Sequence, residues 1–288
     1  MAANAKSIDK GYTRRFALNK YDTIRMTAND HITGRAAASC RNRAGLIESH
    51  FLRCFPAQAS KPLSRDSMQQ TSRPVTSNQA GPHHDLARRV SRGLAHPLRK
   101  PIAAHTQQAF DAAAEWLAAQ PGRLILDAGC GVGLSTRRLA EQFPDHAVIG
   151  VDRSDDRLKR SHGELPANAR LVRADLVDFW RLAHGAGWTP ERHYLLYPNP
   201  YPKASHLKMR WHGHPVFPTL LALGGLVEVR SNWRLYIDEF ALAVAQVTGR
   251  QAEVSEWVPD GDYLTPFEAK YHQSGQALWR LRVALESA

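Results

Sequence analysis

Apolar residues recur along this chain with two different periods, and the two alternate. Short apolar runs at Leu124–Leu126, Ala147–Val151, Ala169–Arg173, Tyr194–Tyr197 and Leu226–Arg230 read as buried strands, and Ala252–Trp257 and Ala277–Ala284 add two more. Between them, apolar positions three and four apart, together with capping and stop residues, predict helices. These are Leu86–Leu94, Thr106–Ala119, Thr136–Gln142, one from Ser154 to near Gly163, Leu176–His184, Pro215–Leu223 and Trp233–Val247. Strands alternating with helices in this way build parallel strand–helix–strand units. The predicted fold class is therefore α/β, a doubly wound, mostly parallel, seven-stranded sheet covered on both faces. The Thr106–Ala119 helix carries apolar Phe110, Ala113, Ala114 and Leu117, ends at Gln120-Pro121-Gly122, and is expected to cover the first strand.

Residues 1–80 break the pattern. Leu46-Ile47 and Phe51-Leu52 support a short helix and no more, and Ser60–Pro82 has the Ser, Gln and Pro content of a linker. The chain divides into a disordered or loosely structured extension over 1–80 and a folded domain over 84–288. Charge sharpens that division. The net charge is +11 over 288 residues. Residues 1–100 hold 18 Lys/Arg against 6 Asp/Glu, and the rest hold 20 against 21. The basic excess lies entirely in the N-terminal third, which fits either a polyanion-binding arm or a solvated tail. Acids are sparse there, as in a transit peptide, but no clean amphipathic segment supports one. Met68 is an alternative start.

No apolar run approaches the ~20 residues of a membrane span. The three cysteines, Cys40, Cys54 and Cys130, have no metal-ligand spacing and fit a reduced, cytoplasmic compartment.

Candidate chemistry starts in the stretch Leu124–Asp152. Asp127 ends the first strand, Gly129, Gly131 and Gly133 follow, Ser135 is placed to cap the next helix, and Asp152 ends the second strand. The dinucleotide fingerprint G-x-G-x-x-G would need a glycine at 134, which is Leu134. The spacing D-x-G-x-G-x-G instead resembles motif I of the class I S-adenosylmethionine-dependent methyltransferases, which implies a Rossmann-like domain. An acid at 127 suits the ammonium of that cofactor and would repel a pyrophosphate. Asp152 is placed to accept from the ribose hydroxyls. In the same plan Asp175, after the third strand, lies near the adenine amine. Asp178 competes for that role but reads as a surface residue. Cys130 reads as a small side chain that fits the turn.

The loop after the fourth strand, Tyr197–Pro215, is stiffened by Pro198, Pro200 and Pro202 and carries Lys203, Lys208 and Arg210 as positive charge. Tyr201 and Trp211 are candidates for stacking on bases. His206, His212 and His214 lack metal-ligand partners at useful spacing and read as exposed and partly structural, so no metal is expected. No G-x-S-x-G or H-E-x-x-H accompanies them, which argues against a hydrolase.

The run P-N-P-Y-P-K-A-S-H-L-K-M-R looks like the PDPWPK-x-RH-x-KRR signature of the tRNA (guanine-N7)-methyltransferases. GGLVEVRSNWRLYIDEF and TPFEAKYHQSGQALWRL resemble two further segments of that family. The resemblance covers about residues 84–284. It implies S-adenosylmethionine as cofactor, tRNA as partner, and methyl transfer to guanine N7 in the tRNA variable loop. It assigns cofactor contacts to Asp127, Asp152 and Asp175, with the three glycines of the turn. Asn199 becomes the residue approaching both cofactor and guanine, and Lys203, Asn232, Thr265 and Glu268 become substrate-binding. Oligomeric state stays open.

Two family aspartates are Asn199 and Asn232 here, Tyr201 replaces tryptophan, and Ser205 and Met209 replace arginines. Guanine N7 has a free lone pair, so no proton leaves before attack, but the purine becomes cationic and a carboxylate would stabilise it. Exchanging a charged for a neutral acceptor costs about tenfold at each site, unless Glu268 or Glu228 compensates. Two other readings are a methyltransferase acting on an exocyclic amine or a protein amide, since Asn199-Pro200-Tyr201 partly matches N-P-P-Y, and a cofactor- and RNA-binding protein with little turnover.

Overall fold

The computed structural model describes residues 72–160 and 163–286. Most of the basic extension, the short helix near residues 46–52, the transit-peptide question and Met68 lie outside the described residues. Seven strands form one sheet: β1 Arg123–Ala128, β2 His146–Asp152, β3 Ala169–Arg173, β4 Arg192–Leu196, β5 Gly225–Ser231, β6 Glu253–Trp257 and β7 Leu278–Leu285. Their order is β3-β2-β1-β4-β5-β7-β6. All neighbours pair parallel except β7, which is antiparallel to both β5 and β6. The predicted doubly wound, mostly parallel sheet of seven strands is the fold observed.

Side-chain alternation along the strands makes two cores. Leu124, Leu126 and Ala128 of β1, with Ile149 and Val151 of β2 and Val227 and Val229 of β5, face one side. Ile125, Val148, Tyr194 and Leu196 face the other, where Leu139 and Ala140 of helix α3 (Leu134–Gln142) cover them. The first side is covered by α1 (Leu86–Ala95), α2 (Ala104–Ala118), α5 (Leu176–Gly185), α6 (Phe217–Ala222) and α7 (Arg234–Thr248).

Several expectations need correction. Helix α2 packs on β3 and α5 rather than over β1; its Phe110 meets Phe179 and Trp188 edge-on or tilted. Helix α4 is only Asp155–Leu158. Asp178 is buried, not on the surface, and accepts from the Ala103 amide just ahead of α2. An eighth helix, α8 (Pro266–Gln273), has no counterpart in the apolar pattern. Its signal is the capping run Thr265-Pro266-Phe267-Glu268: threonine at the cap, proline in the first turn and an acid three residues on. The described part of the expected linker, 72–82, is held to the domain by named bonds at Ser72, Ser77 and Gln79.

The close fit of α3 against β2 turns on Gly150, where an added Cβ would sit 2.1 Å from Thr136 Oγ1. Gly150→Ala is therefore expected to lower stability by about 1–3 kcal/mol in a urea melt. An unchanged midpoint would show that α3 does not sit on β2 this closely.

Candidate active site

The carboxyl ends of β3, β2, β1 and β4 lie side by side, and the sequence-predicted residues follow those ends. Asp127 of β1 pairs in register with Gly150 on one side and Tyr194 on the other. The turn after β1 takes φ values of +84° at Gly129, +61° at Gly131 and +75° at Gly133. Only glycine occupies this region freely, which is why three are spaced here. The Gly129 and Cys130 amides both donate to the Val151 carbonyl and tie the turn to β2. A Cβ built on Gly131 would meet nothing within 4 Å, so the turn is open above that residue. That open, acid-flanked turn fits an adenosine-bearing cation such as S-adenosylmethionine.

Asp152 accepts from the Gly131 amide at 3.0 Å and the Ser154 amide at 2.8 Å, and Arg157 lies 2.9 Å from its Oδ1. Asp127 is 1% exposed and accepts from Ser135 Oγ at 2.6 Å and Thr136 Oγ1 at 2.7 Å. Ser135 therefore does not cap its helix. Gly133 occupies that place, and the serine hydroxyl ties α3 to β1. Burial pushes the Asp127 carboxyl up to about 6, against the pull of both hydroxyls. Burial also pushes the Cys130 thiol well up, which keeps it protonated and supports its reading as a small side chain that fits. Asp175 caps α5 by accepting from the Val177 amide at 2.9 Å.

The loop after β4 is shaped by backbone strain and held by two buried carboxylates. Tyr197 (φ +51°) and Tyr201 (φ +45°) adopt the left-handed region although each precedes a proline. Such residues cost roughly 1–3 kcal/mol each and persist only where their surroundings hold them. Glu268 holds the first: it is fully buried, and its Oε1 accepts from Tyr197 Oη, Arg230 Nη1 and Trp257 Nε1 at 3.0, 2.7 and 2.8 Å. Its Oε2 accepts from the Leu264 amide at 2.7 Å. Burial beside the Glu268 charge pushes the Tyr197 phenol upward.

Glu239 of α7 holds the second. It pairs with Arg210 and with His212 Nε2 (2.9 Å), and its other oxygen accepts from Gln79 Nε2 and the His83 amide. Arg210 in turn donates to the Tyr201 carbonyl at 3.2 Å and to Gln79 Oε1 at 2.6 Å. Burial raises the Glu239 carboxyl, but the His212 ring and the Arg210 guanidinium outweigh it and hold it at about 2.

The structure thus separates the residues that the sequence grouped as site residues. Asn199 and Lys203 are exposed on the loop. Asn199 Oδ1 accepts from the Tyr201 amide at 3.3 Å. Asn232 donates to Gln276 Oε1 at 2.8 Å. Thr265 caps α8 through the Glu268 amide, and Glu268 makes all its hydrogen bonds within the protein. Neither acid put forward as a compensating carboxylate is free, since Glu228 is buried between Arg230 and Arg282. Arg210 and His212 are fully buried rather than part of a basic or exposed face. Trp211 packs edge-on against Trp180. Arg230, Glu239 and Gln79 were not singled out at all. Ion pairs between elements far apart in sequence leave no local signal.

Two outcomes follow. Asp127 titrates near 3.8 when unfolded and near 6 when folded. The folded state therefore holds the extra proton between those values, and stability should fall as pH rises from about 4 to about 6, by roughly 3 kcal/mol. Urea melts across that range should lose this slope in Asp127→Asn; equal slopes would contradict the burial of a titrating carboxyl. Glu268→Gln breaks a buried ion pair and is expected to cost about 3–5 kcal/mol, read as a lowered denaturation midpoint.

Comparisons with known proteins bear on what these residues do. The model of a family described as "Putative methyltransferase" matches residues 121–281. A tRNA (guanine-N(7)-)-methyltransferase of Neisseria gonorrhoeae (strain NCCP11945) is 25% identical over 166 residues, 54% of this chain and 69% of that protein. A trans-aconitate 2-methyltransferase of Methylobacterium radiotolerans is 46% identical over 83 residues, 28% of each protein. Among solved structures, an antibiotic-related methyltransferase superposes with a TM-score of 0.46 at 15% identity, covering 61% of this chain and 94% of that one. The matched residues run from just before β1 into β7 and take in both the glycine turn and the proline loop. This chain therefore belongs to that methyltransferase family, the one that includes the tRNA (guanine-N7)-methyltransferases, as a divergent member.

Proposed function

We propose that the chain transfers a methyl group from S-adenosylmethionine to N7 of a guanine in the variable loop of tRNA, in the cytoplasm, and that residues 84–288 form the catalytic domain. The observation that carries this reading is the family match over residues 121–281, together with a relative named for guanine-N7 methylation that is 25% identical over 166 residues. S-adenosylmethionine supplies an electrophilic methyl group on a sulfonium. The residues read as holding it are Asp127, Gly129, Gly131, Gly133, Asp152 and Asp175. The proline loop beside them presents Asn199 and Lys203 to the base.

The chemistry asks little of the protein beyond placement. N7 attacks with its own lone pair, so no general base is needed. The loop has to fix the guanine in line and exclude water. Positive charge develops on the purine, and Asn199 offers only a neutral amide oxygen to meet it. That oxygen accepts from the Tyr201 amide at 3.3 Å and keeps a second lone pair for the substrate.

Incubating the protein with labelled S-adenosylmethionine and an unmodified tRNA transcript, followed by nucleoside analysis, should give 7-methylguanosine. Asn199→Asp should raise the rate about tenfold. N6-methyladenosine in its place, or no product with tight binding of both ligands, would move the reading to one of the alternatives.

A further inference from the structure

Residues 72–83 form a strap that crosses beside the proline loop, and three separate anchors hold it. At one end the Ser72 amide donates to Ser274 Oγ at 2.9 Å, and Gln276 Nε2 donates to the Ser72 carbonyl at 2.8 Å. Gln276 is the same residue that Asn232 binds. In the middle, Ser77 Oγ donates to the Pro202 carbonyl at 2.7 Å. At the other end Gln79 and His83 reach the buried Glu239 carboxylate. Between strap and loop runs a groove of about 590 Å³, walled by Thr76, Ser77 and Asn78 on one side and by Pro202, Lys203 and Ser205 on the other.

We propose that this groove takes the sugar-phosphate backbone of the RNA next to the methylated base, with the strap as one wall of the substrate site. The proposal rests on the methyl-transfer reading above for the identity of the base, but not for the recognition itself. One ammonium, two hydroxyl-bearing residues besides Ser77 and one amide line the groove, and no carboxylate does. A single cation among neutral donors suits a phosphodiester and ribose hydroxyls. Thr76, Asn78, Lys203 and Ser205 make no side-chain hydrogen bond or ion pair to the protein among the described residues, so their polar groups face solvent unclaimed. The groove starts at Pro202, three residues beyond Asn199, so at most about 10 Å of chain separates the two. The anchoring of Gln79 to Arg210 and Glu239 makes the wall rigid, because both charged partners are fully buried.

The test is RNA binding by the full chain, read by fluorescence anisotropy with an unmodified tRNA transcript at fixed salt. Asn78→Asp puts an anion in the groove and should weaken binding about tenfold, with S-adenosylmethionine affinity by calorimetry unchanged. Gln251→Asp, an exposed change just ahead of β6, at the amino-terminal end of the strands and so away from the loop after β4, makes the same charge change and should leave RNA binding within twofold. Thr76→Asp is the second variant if Asn78→Asp loses cofactor binding. Wild-type protein that binds no RNA, or an Asn78→Asp protein no weaker than Gln251→Asp, would overturn the proposal. Normal 7-methylguanosine formation with unaltered binding in Asn78→Asp would sink the groove and leave the methyl-transfer reading standing. Tight, Asn78-sensitive binding without any methylated product would do the reverse.

Discussion

A charged carboxylate sealed from water is costly unless it is paired and fully hydrogen-bonded. This protein seals two of them next to its proline loop. Glu268 gathers Tyr197, Arg230 and Trp257, and Glu239 gathers Arg210, His212, Gln79 and His83. Between them the partners come from the strap, the proline loop, β5 and β6. The sheet, helices α7 and α8, the strap and the loop must therefore all be in place at once for either carboxylate to be tolerated. The same requirement makes the loop a single well-defined object.

That definition matters because the loop backbone is not at rest. Two tyrosines in the left-handed region, each ahead of a proline, are an unfavourable local choice. One is held through its own phenol by Glu268, and the other through its carbonyl by Arg210. Strain at the loop is thus balanced by charge pairing beneath it. Placement of a base to within a fraction of an ångström is what methyl transfer to a ring nitrogen needs.

The residues that the family resemblance marks as substrate contacts divide into two physical groups here. Asn199 and Lys203 stand exposed on the loop. Thr265 and Glu268 lie beneath it, buried, and act on its shape. Asn232 lies between these groups and reaches the strap through Gln276. Replacing two acids by asparagines lowers the negative charge at the mouth, and the acids that remain nearby are neutralised by Arg230 and Arg282.

Much of the fold was legible from the apolar pattern, because a buried parallel strand and an amphipathic helix carry periods that depend only on neighbours in sequence. The glycine turn was legible for the same reason: a positive φ is a property of one residue, and only glycine takes it freely. Helix α8 was legible in principle through Thr265 and Glu268, whose spacing signals a cap, though its apolar content signals nothing. The partners of buried charges were not. That Arg210 meets Glu239 and Arg230 meets Glu268 follows from strand order and helix placement, which bring together residues tens of positions apart. From sequence, an arginine at a loop's end reads equally as a phosphate ligand or a core strut. The sequence alone determined the seven strands, most of the helices and where the glycine turn lies. Only the tertiary structure decided which charged groups are left to meet a substrate, because desolvation and pairing depend on what surrounds a side chain in space.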